Sequence, residues 1–191
     1  MNKKFVFITG PSESGKSGAA EYMERNFRNV KHLKMRDIIK IADSKVDDST
    51  EQFWNEYINT ALSMSEEKSI IIMDTLRKPE SALILGKLLG NKMTILYIEA
   101  SLKNRIIREY NKLNREGKNL IIEDVAKRTK EKDMEKEKFG LKKLKNLRIL
   151  KDGILSTRED GEIFPYIINN DGDIEQLHEK LNQFIYELER T

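Results

Sequence analysis

Short apolar runs alternate along this chain with longer segments whose apolar residues recur every three or four positions. The short runs predict buried strands, at 5–8, 30–33, 70–73, 93–98 and 166–168. The longer segments predict amphipathic helices, at 16–27, 35–43, 51–65, 79–89, 102–113 and 174–188. Because strands and helices alternate, the pattern predicts an α/β fold, doubly wound around a parallel five-stranded sheet.

Composition narrows the class of protein. The chain has 191 residues, which suits a single domain spanning 1–191. Charged residues make up 35%, above the usual quarter, and predict a highly solvated surface or a polar lid. The net charge of +3 is too balanced for us to expect a nucleic-acid partner. Without cysteine there is neither a disulfide nor a thiolate metal site. No apolar run is long enough for a signal peptide core or a membrane span, so we expect a cytoplasmic protein without a membrane partner.

The segment Gly10–Ser17 reads GPSESGKS and matches the Walker A pattern G-x-x-x-x-G-K-[ST] between a predicted strand and a predicted helix. Its backbone N–H groups can point at phosphates where a side chain would intrude. Lys16 supplies a positive charge for the β- and γ-phosphates, and the Ser17 hydroxyl suits Mg²⁺. The pattern therefore predicts binding of ATP and Mg²⁺. The expected nucleotide-binding residues within the segment are Gly10, Ser12, Ser14, Gly15, Lys16 and Ser17.

Asp74 ends the predicted strand at 70–73. An acidic residue at the end of a neighbouring strand holds the Mg²⁺ shell in P-loop folds. Together with the Walker A segment, this position predicts that Asp74 shares the metal with Ser17.

Four segments together resemble the nucleoside monophosphate kinase-like branch of the P-loop proteins. Within that branch the chain is similar to small dephospho-CoA-kinase-like and adenylate-kinase-related proteins. The segments are the Walker A loop near the start of the chain, Arg36–Lys40 (RDIIK), Asp74–Glu80 (DTLRKPE) and Ile167–Leu177 (IINNDGDIEQL). The resemblance implies a P-loop, nucleotide-kinase-like fold with a helical, charged lid.

The resemblance also implies roles for particular residues. Arg77 would bind the acceptor's phosphate, and a guanidinium fork suits two phosphate oxygens. Asp37 and Lys40 would line the acceptor pocket, in a helical acceptor-side region of about 35–65. On the nucleotide side, the residues implied are Arg105, Arg108 and Asn170.

Between Lys127 and Lys138, ten of twelve residues are charged. A solvated helix with i, i+4 ion pairs explains such a run, and so does a lid, which must be polar when open and basic when it closes on phosphates. The resemblance places a lid at about 115–147, with Arg128 and Lys132 as its candidate phosphate contacts and Arg128 as a catalytic candidate. A hairpin-like insertion is expected at about 148–165, with turns at its Asp152-Gly153 and Asp160-Gly161 pairs.

The favoured hypothesis is transfer of the ATP γ-phosphoryl group to a small phosphorylated acceptor, foremost a nucleoside or deoxynucleoside monophosphate. A dephospho-CoA-kinase-like transfer to a hydroxyl is the alternative, with Asp37 as the base. A non-catalytic, ATP-binding regulatory module is the third possibility. The two histidines have no partners at metal or triad spacing, and we expect no function for them.

Overall fold

The computed structural model describes residues 3–42, 47–150, 155–157 and 161–190, with side chains described there except at 40–42 and 163. The strands are β1 Lys4–Thr9, β2 Val30–Lys34, β3 Ile70–Asp74, β4 Met93–Glu99, β5 Arg148–Ile149, β6 Leu155–Ser156, β7 Glu162–Ile163 and β8 Tyr166–Asn169. The helices are α1 Lys16–Asn26, α2 Met35–Ala42, α3 Glu51–Met64, α4 Pro79–Leu89, α5 Leu102–Arg115, α6 Ile122–Lys138, α7 Leu141–Lys145 and α8 Ile174–Arg190.

The central sheet has five strands in the order β2-β3-β1-β4-β8, and every neighbouring pair is parallel. The carboxyl ends of parallel strands meet at one edge, where ligands bind in doubly wound folds. The Walker A segment follows β1 at this edge, and Asp74 ends the adjacent β3. The predicted α/β fold is confirmed, and each of its five predicted strands lies in this sheet.

Both faces of the sheet are covered, as the continuous apolar strands predict. Phe5 and Phe7 of β1 point to a core formed with α3, α4 and α7. Val6 and Ile8 point to a second core formed with α1 and α8. Two sheet faces buried under helices explain why these strands read as apolar runs rather than as alternating patterns.

Local sequence signals set the starts of two helices, α3 and α4. The hydroxyl of Thr50 accepts a hydrogen bond from the backbone N–H of Phe53 and caps α3. Pro79 occupies the first turn of α4, where its missing N–H has no helical partner to lose. Both helices therefore begin within one residue of the predicted positions.

The inserted segment forms a small antiparallel sheet in the order β6-β5-β7. It packs on α4, where a Cβ placed on Gly86 would lie 2.8 Å from Cγ of Leu155. Of the two expected turns, Asp152, Gly153 and Asp160 lie outside the described residues, so their conformation stays a prediction. Within the described ranges, no helix is long and apolar enough to cross a membrane.

Candidate active site

The Walker A segment is a loop between β1 and α1 whose two glycines have backbone angles that other residues rarely adopt. Gly10 has a φ of 136°, and a Cβ there would lie 2.0 Å from the carbonyl oxygen of Ile98. Gly15 has a φ of 100°, and a Cβ there would lie 2.3 Å from Nδ2 of Asn170. The loop therefore has its shape because β4 and the segment after β8 press against it at positions without side chains.

Two side chains from other elements brace this loop. Arg105 of α5, which is 6% exposed, donates from Nη1 to the carbonyl oxygen of Ser12 at 3.2 Å and from Nε to that of Ala100 at 3.0 Å. Asn170 donates from Nδ2 to the carbonyl oxygen of Ser14 at 2.8 Å. Both residues were expected to bind nucleotide. In the structure each of them contacts the loop, and their contact with nucleotide stays a prediction.

Arg108 lies one turn after Arg105 and donates from Nη2 to the carbonyl oxygen of Asn170 at 2.6 Å. Its Nη1 is buried and has no hydrogen-bond partner among the residues that the structure describes. A buried donor without a partner costs free energy unless a ligand or water pairs with it. Arg108 therefore keeps one donor available beside the loop.

Lys16 opens α1, and its ammonium group donates to the carbonyl oxygen of Pro11 and, at 3.4 Å, to the hydroxyl of Ser14. Burial lowers the pKa of Lys16 most and the charge of Lys136 lowers it too; with the opposing charges of Glu13 and Asp74 and a small effect of Arg105, the pKa comes to about 7. A buried lysine with a lowered pKa regains its charged form when an anion binds beside it. Phosphate groups are the ligand that this environment fits.

Helix α6 is held to α5 by a buried carboxylate. Glu109, which is 2% exposed, accepts a hydrogen bond from Thr129 at 2.7 Å and pairs with Lys132 and, at 3.2 Å, with Nε of Arg128. Burial alone would raise the pKa of Glu109, but the hydrogen bonds from Lys132 and Thr129 bring it below its ordinary value. The contacts of Arg128 and Lys132 are thus with α5, and the structure does not bring these two candidates to Lys16.

Another basic residue of α6, Lys136, interacts electrostatically with Lys16. It lies on α6 one turn after Asp133, whose Oδ2 is 2.7 Å from Nη1 of Arg105. Burial lowers the pKa of Lys136, and the charge of Arg77 lowers it further. Its charge also acts on Lys16. The sequence pointed to the charged run as a whole, but i, i+4 spacing alone did not single out Lys136 among its basic neighbours.

An open cavity of about 450 Å³ adjoins the loop at the carboxyl edge of β2 and β3. Arg77 lies in its wall. The segment before it is fixed, because the hydroxyl of Thr9 donates to the carbonyl oxygen of Leu76 at 2.6 Å and the N–H of Leu76 donates to that of Ile8 at 3.2 Å. The residues lining this cavity, here called the acceptor cavity, are Ser17, Lys34, Met35, Arg36, Ile39, Asp48, Trp54, Asp74, Thr75, Leu76, Arg77 and Ser81.

Two other acceptor-side candidates lie elsewhere or are not described. Asp37 is exposed on α2, where one oxygen is 3.8 Å from Nε of Arg36. It lines a neighbouring cavity with Glu24 and His32 and is not among the residues that line the acceptor cavity. The side chain of Lys40 lies outside the described residues, so its role stays a prediction.

The residues expected to hold Mg²⁺ come together in the acceptor cavity. Ser17 is exposed at the start of α1, Asp74 lies at the end of β3, and both line this cavity. Among the described residues, no group of three or more histidine, aspartate or glutamate side chains could hold a metal ion. One hydroxyl and one carboxylate fit a magnesium ion that takes its remaining ligands from water and phosphate.

His32 was expected to have no function, yet its Nε2 lies 3.3 Å from Oδ2 of Asp74. The two residues are 42 positions apart in sequence and are brought together by the parallel pairing of β2 with β3. A signal for this contact was present, since His32 lies near the end of one predicted strand and Asp74 at the end of another. Only the strand order makes those two strands neighbours.

Comparison with known proteins adds to the description of the fold. No protein-family model matches the chain, and no curated protein matches it significantly. Among solved structures it is similar to an uncharacterised protein from Eubacterium ventriosum ATCC 27560 (TM-score 0.59, 12% identity, 96% of this chain and 99% of that one). It is also similar to shikimate kinase from Bacteroides thetaiotaomicron (TM-score 0.52, 11% identity, 97% and 98%). The APS kinase of Mycobacterium tuberculosis in complex with AMPPNP and APS gives a TM-score of 0.54 at 15% identity, covering 98% of both chains. At these identities the similarity establishes a P-loop, kinase-like fold.

Proposed function

We propose that this chain is an ATP-dependent phosphotransferase that moves the γ-phosphoryl group of MgATP to a small phosphorylated acceptor. A nucleoside or deoxynucleoside monophosphate is the first acceptor class to test. The observation that carries the proposal is that one open cavity beside the Walker A loop is lined both by Ser17 of the loop and by Arg77. Two further cations, Lys16 of the loop and Lys136 on α6, have lowered pKa values; the charge of Lys136 contributes to the lowering for Lys16, and the charge of Arg77 to that for Lys136. A phosphoryl group passing from the loop to the cavity would lie among these positive charges.

In this proposal the loop binds the ATP phosphates through its backbone N–H groups and Lys16. Ser17 and Asp74 would hold Mg²⁺, which neutralises charge on the β- and γ-phosphates when it is bound. Lys136 and Arg77 add positive charge on the far side of the transferring group. Catalysis then consists of positioning and charge stabilisation that are in place before the reaction.

The charges of the acceptor cavity favour a phosphate as the accepting group. Three cations, Lys34, Arg36 and Arg77, are among its lining residues. Of its two carboxylates, Asp74 is assigned to the metal, and Asp48 is ion-paired with Lys78 at 2.7 Å. Asp37, the expected base for a hydroxyl acceptor, lies at the other cavity. A phosphate acceptor needs no general base, so the composition of the cavity supports it over the dephospho-CoA-like alternative.

Several finer assignments belong to the same proposal. We assign the chain to the nucleoside monophosphate kinase-like branch because of its segments around Arg77 and Asn170. We treat it as a single cytoplasmic kinase domain, with an acceptor-side region at 35–65 and a lid at 115–147. The competing function is a regulatory module that holds ATP without transferring phosphate.

The test is a coupled assay of ADP release with a panel of mononucleotides, deoxymononucleotides and dephospho-CoA. We expect acceptor-stimulated turnover with a mononucleotide and its loss in Lys16→Ala. Arg77→Ala should raise the acceptor KM by at least about tenfold and leave ATP affinity nearly unchanged. Arg115→Ala, which removes an exposed arginine at the end of α5, is the matched control. ATP binding without stimulation by any acceptor would contradict the proposal and favour the regulatory module.

A further inference from the structure

His32 is a buried polar residue on the edge strand of the central sheet, and the proposed reaction has not used it. Its side chain is 4% exposed, and its Nε2 lies 3.3 Å from Oδ2 of Asp74. The strand beneath it is fixed by Glu24, whose carboxylate accepts from the backbone N–H of His32 at 3.2 Å and from Lys31 at 2.9 Å. The imidazole is therefore held in a set position behind the carboxylate of Asp74.

The direction of this hydrogen bond follows from the chemistry of the two groups. As an ionised metal ligand the Asp74 carboxylate can only accept, so in the proposed site Nε2 of His32 carries the proton and donates it. The bond occupies Oδ2 of Asp74 and leaves Oδ1 for another partner. Asp74 and Ser17 both line the acceptor cavity. A carboxylate held from behind in this way keeps one oxygen available to an ion at Ser17.

We propose that His32 is a positioning residue that orients the carboxylate of Asp74 for the Mg²⁺ of the bound nucleotide. The inference rests on the proposed function, because it takes Asp74 as a metal ligand. Hydrogen-bond partners behind a ligand fix its orientation, and their loss typically weakens metal affinity about 10- to 100-fold. Lys34 is the cross-strand neighbour of Asp74 and lines the same cavity. Without the imidazole, the carboxylate is free to turn toward that ammonium group and away from the metal.

The experiment measures binding of a non-hydrolysable ATP analogue to the full chain by calorimetry, once with Mg²⁺ and once with EDTA. The ratio of the two dissociation constants reports the contribution of the metal and does not depend on turnover. We expect His32→Leu to reduce this ratio about tenfold, while the dissociation constant in EDTA stays within about twofold of wild type. His32→Gln should restore most of the ratio, because its amide nitrogen can donate from a position close to that of Nε2.

His178→Leu is the matched control, since it removes the only other histidine, which stacks on Tyr22 at 3.7 Å between ring centroids. It should keep the wild-type ratio. If His32→Leu does not fold, His32→Gln is compared with His32→Asn, whose amide is too short to reach Asp74 and should lower the ratio as Leu would.

A wild-type ratio in His32→Leu, or equal ratios in the Gln and Asn variants, would overturn this inference alone. If the wild-type chain bound no nucleotide in either buffer, the proposed function would fall and the inference with it.

Discussion

The environment of Lys16 predicts that ATP binding takes up a proton. Burial and the neighbouring charges of Lys136 and Arg105 bring the pKa of Lys16 from 10.5 to about 7 in the free protein. At pH 8 only about one Lys16 in eleven is then protonated. Phosphate groups beside the ammonium favour its charged form and return the pKa toward the ordinary value. Binding of one ATP at pH 8 should therefore cause Lys16 to take up about 0.9 proton from the solution.

The sign of the effect follows from the direction of the shift. The pKa of the free state lies below that of the bound state, so protons are taken up between the two values. Uptake falls as the pH drops below 7, because Lys16 is then already charged. Linkage also makes ATP affinity decrease as the pH rises above 7, for the complex must acquire a proton that the solution supplies less readily.

The assay is calorimetry of MgATP binding at pH 8 in buffers of different ionisation enthalpy, where the slope of the apparent enthalpy gives the number of protons. Lys16 should contribute about 0.9 proton to the wild-type slope, and Lys16→Met should lower the slope by that amount. Lys143→Met, which removes an exposed lysine of α7, should keep the wild-type slope. A wild-type slope close to zero would refute the reasoning, because Lys16 would then be charged before ATP arrives.

Three further predictions concern the lid, the loop and the core. Lys136→Met should lower kcat about 100-fold. Arg128→Met, which loses the ion pair between the half-exposed Arg128 and Glu109, should lower kcat less than about fivefold. Similar losses of steady-state rate in both variants would contradict the proposed role of Lys136 in stabilising the transferring phosphoryl group. Asn170→Ala removes the hydrogen bond to Ser14 and should weaken ATP binding about two- to tenfold, and an unchanged calorimetric dissociation constant would show that the loop does not need this brace. Phe184→Ala should reduce the free energy of unfolding by about 3–5 kcal/mol, because the ring is buried under the sheet. A loss below about 1 kcal/mol in urea denaturation would contradict this and would mean that the surrounding side chains move to fill the space left by the ring.

The elements of the fold could be predicted from the sequence because their signals are local. The apolar run before Gly10 and the Walker A spacing placed a loop between a strand and a helix. Proline at position 79 set the start of α4. The sheet order was not readable in the same way, because it depends on pairing between strands that are far apart in sequence.

The residues that the sequence analysis did not single out depend on contacts between elements that are far apart in the chain. His32 contacts Asp74 only because β2 and β3 are neighbours. Lys136 is one of several lysines on α6, and what distinguishes it is the docking of this helix through Glu109 and Asp133 onto α5. Residue type and spacing could not give the way α6 packs on α5, and that packing decides which of its lysines are buried.

The position of Arg105 on α5 could be predicted, but its contacts within the protein could not. A buried guanidinium must satisfy its donors. Here the carbonyl oxygens of Ser12 and Ala100 and the carboxylate of Asp133 accept from it or pair with it. These contacts join the Walker A loop to α6, and the expected contact of Arg105 with nucleotide stays a prediction.

The most direct test of the central claim is to follow the γ-phosphoryl group itself. ATP labelled at the γ-phosphate is incubated with the chain and a mononucleotide acceptor, and the products are separated by thin-layer chromatography. We expect label to move to the acceptor in the wild-type chain and in Arg115→Ala, and to stay in ATP in Lys16→Ala. Label released only as inorganic phosphate, or retained in bound ATP with every acceptor tested, would contradict it.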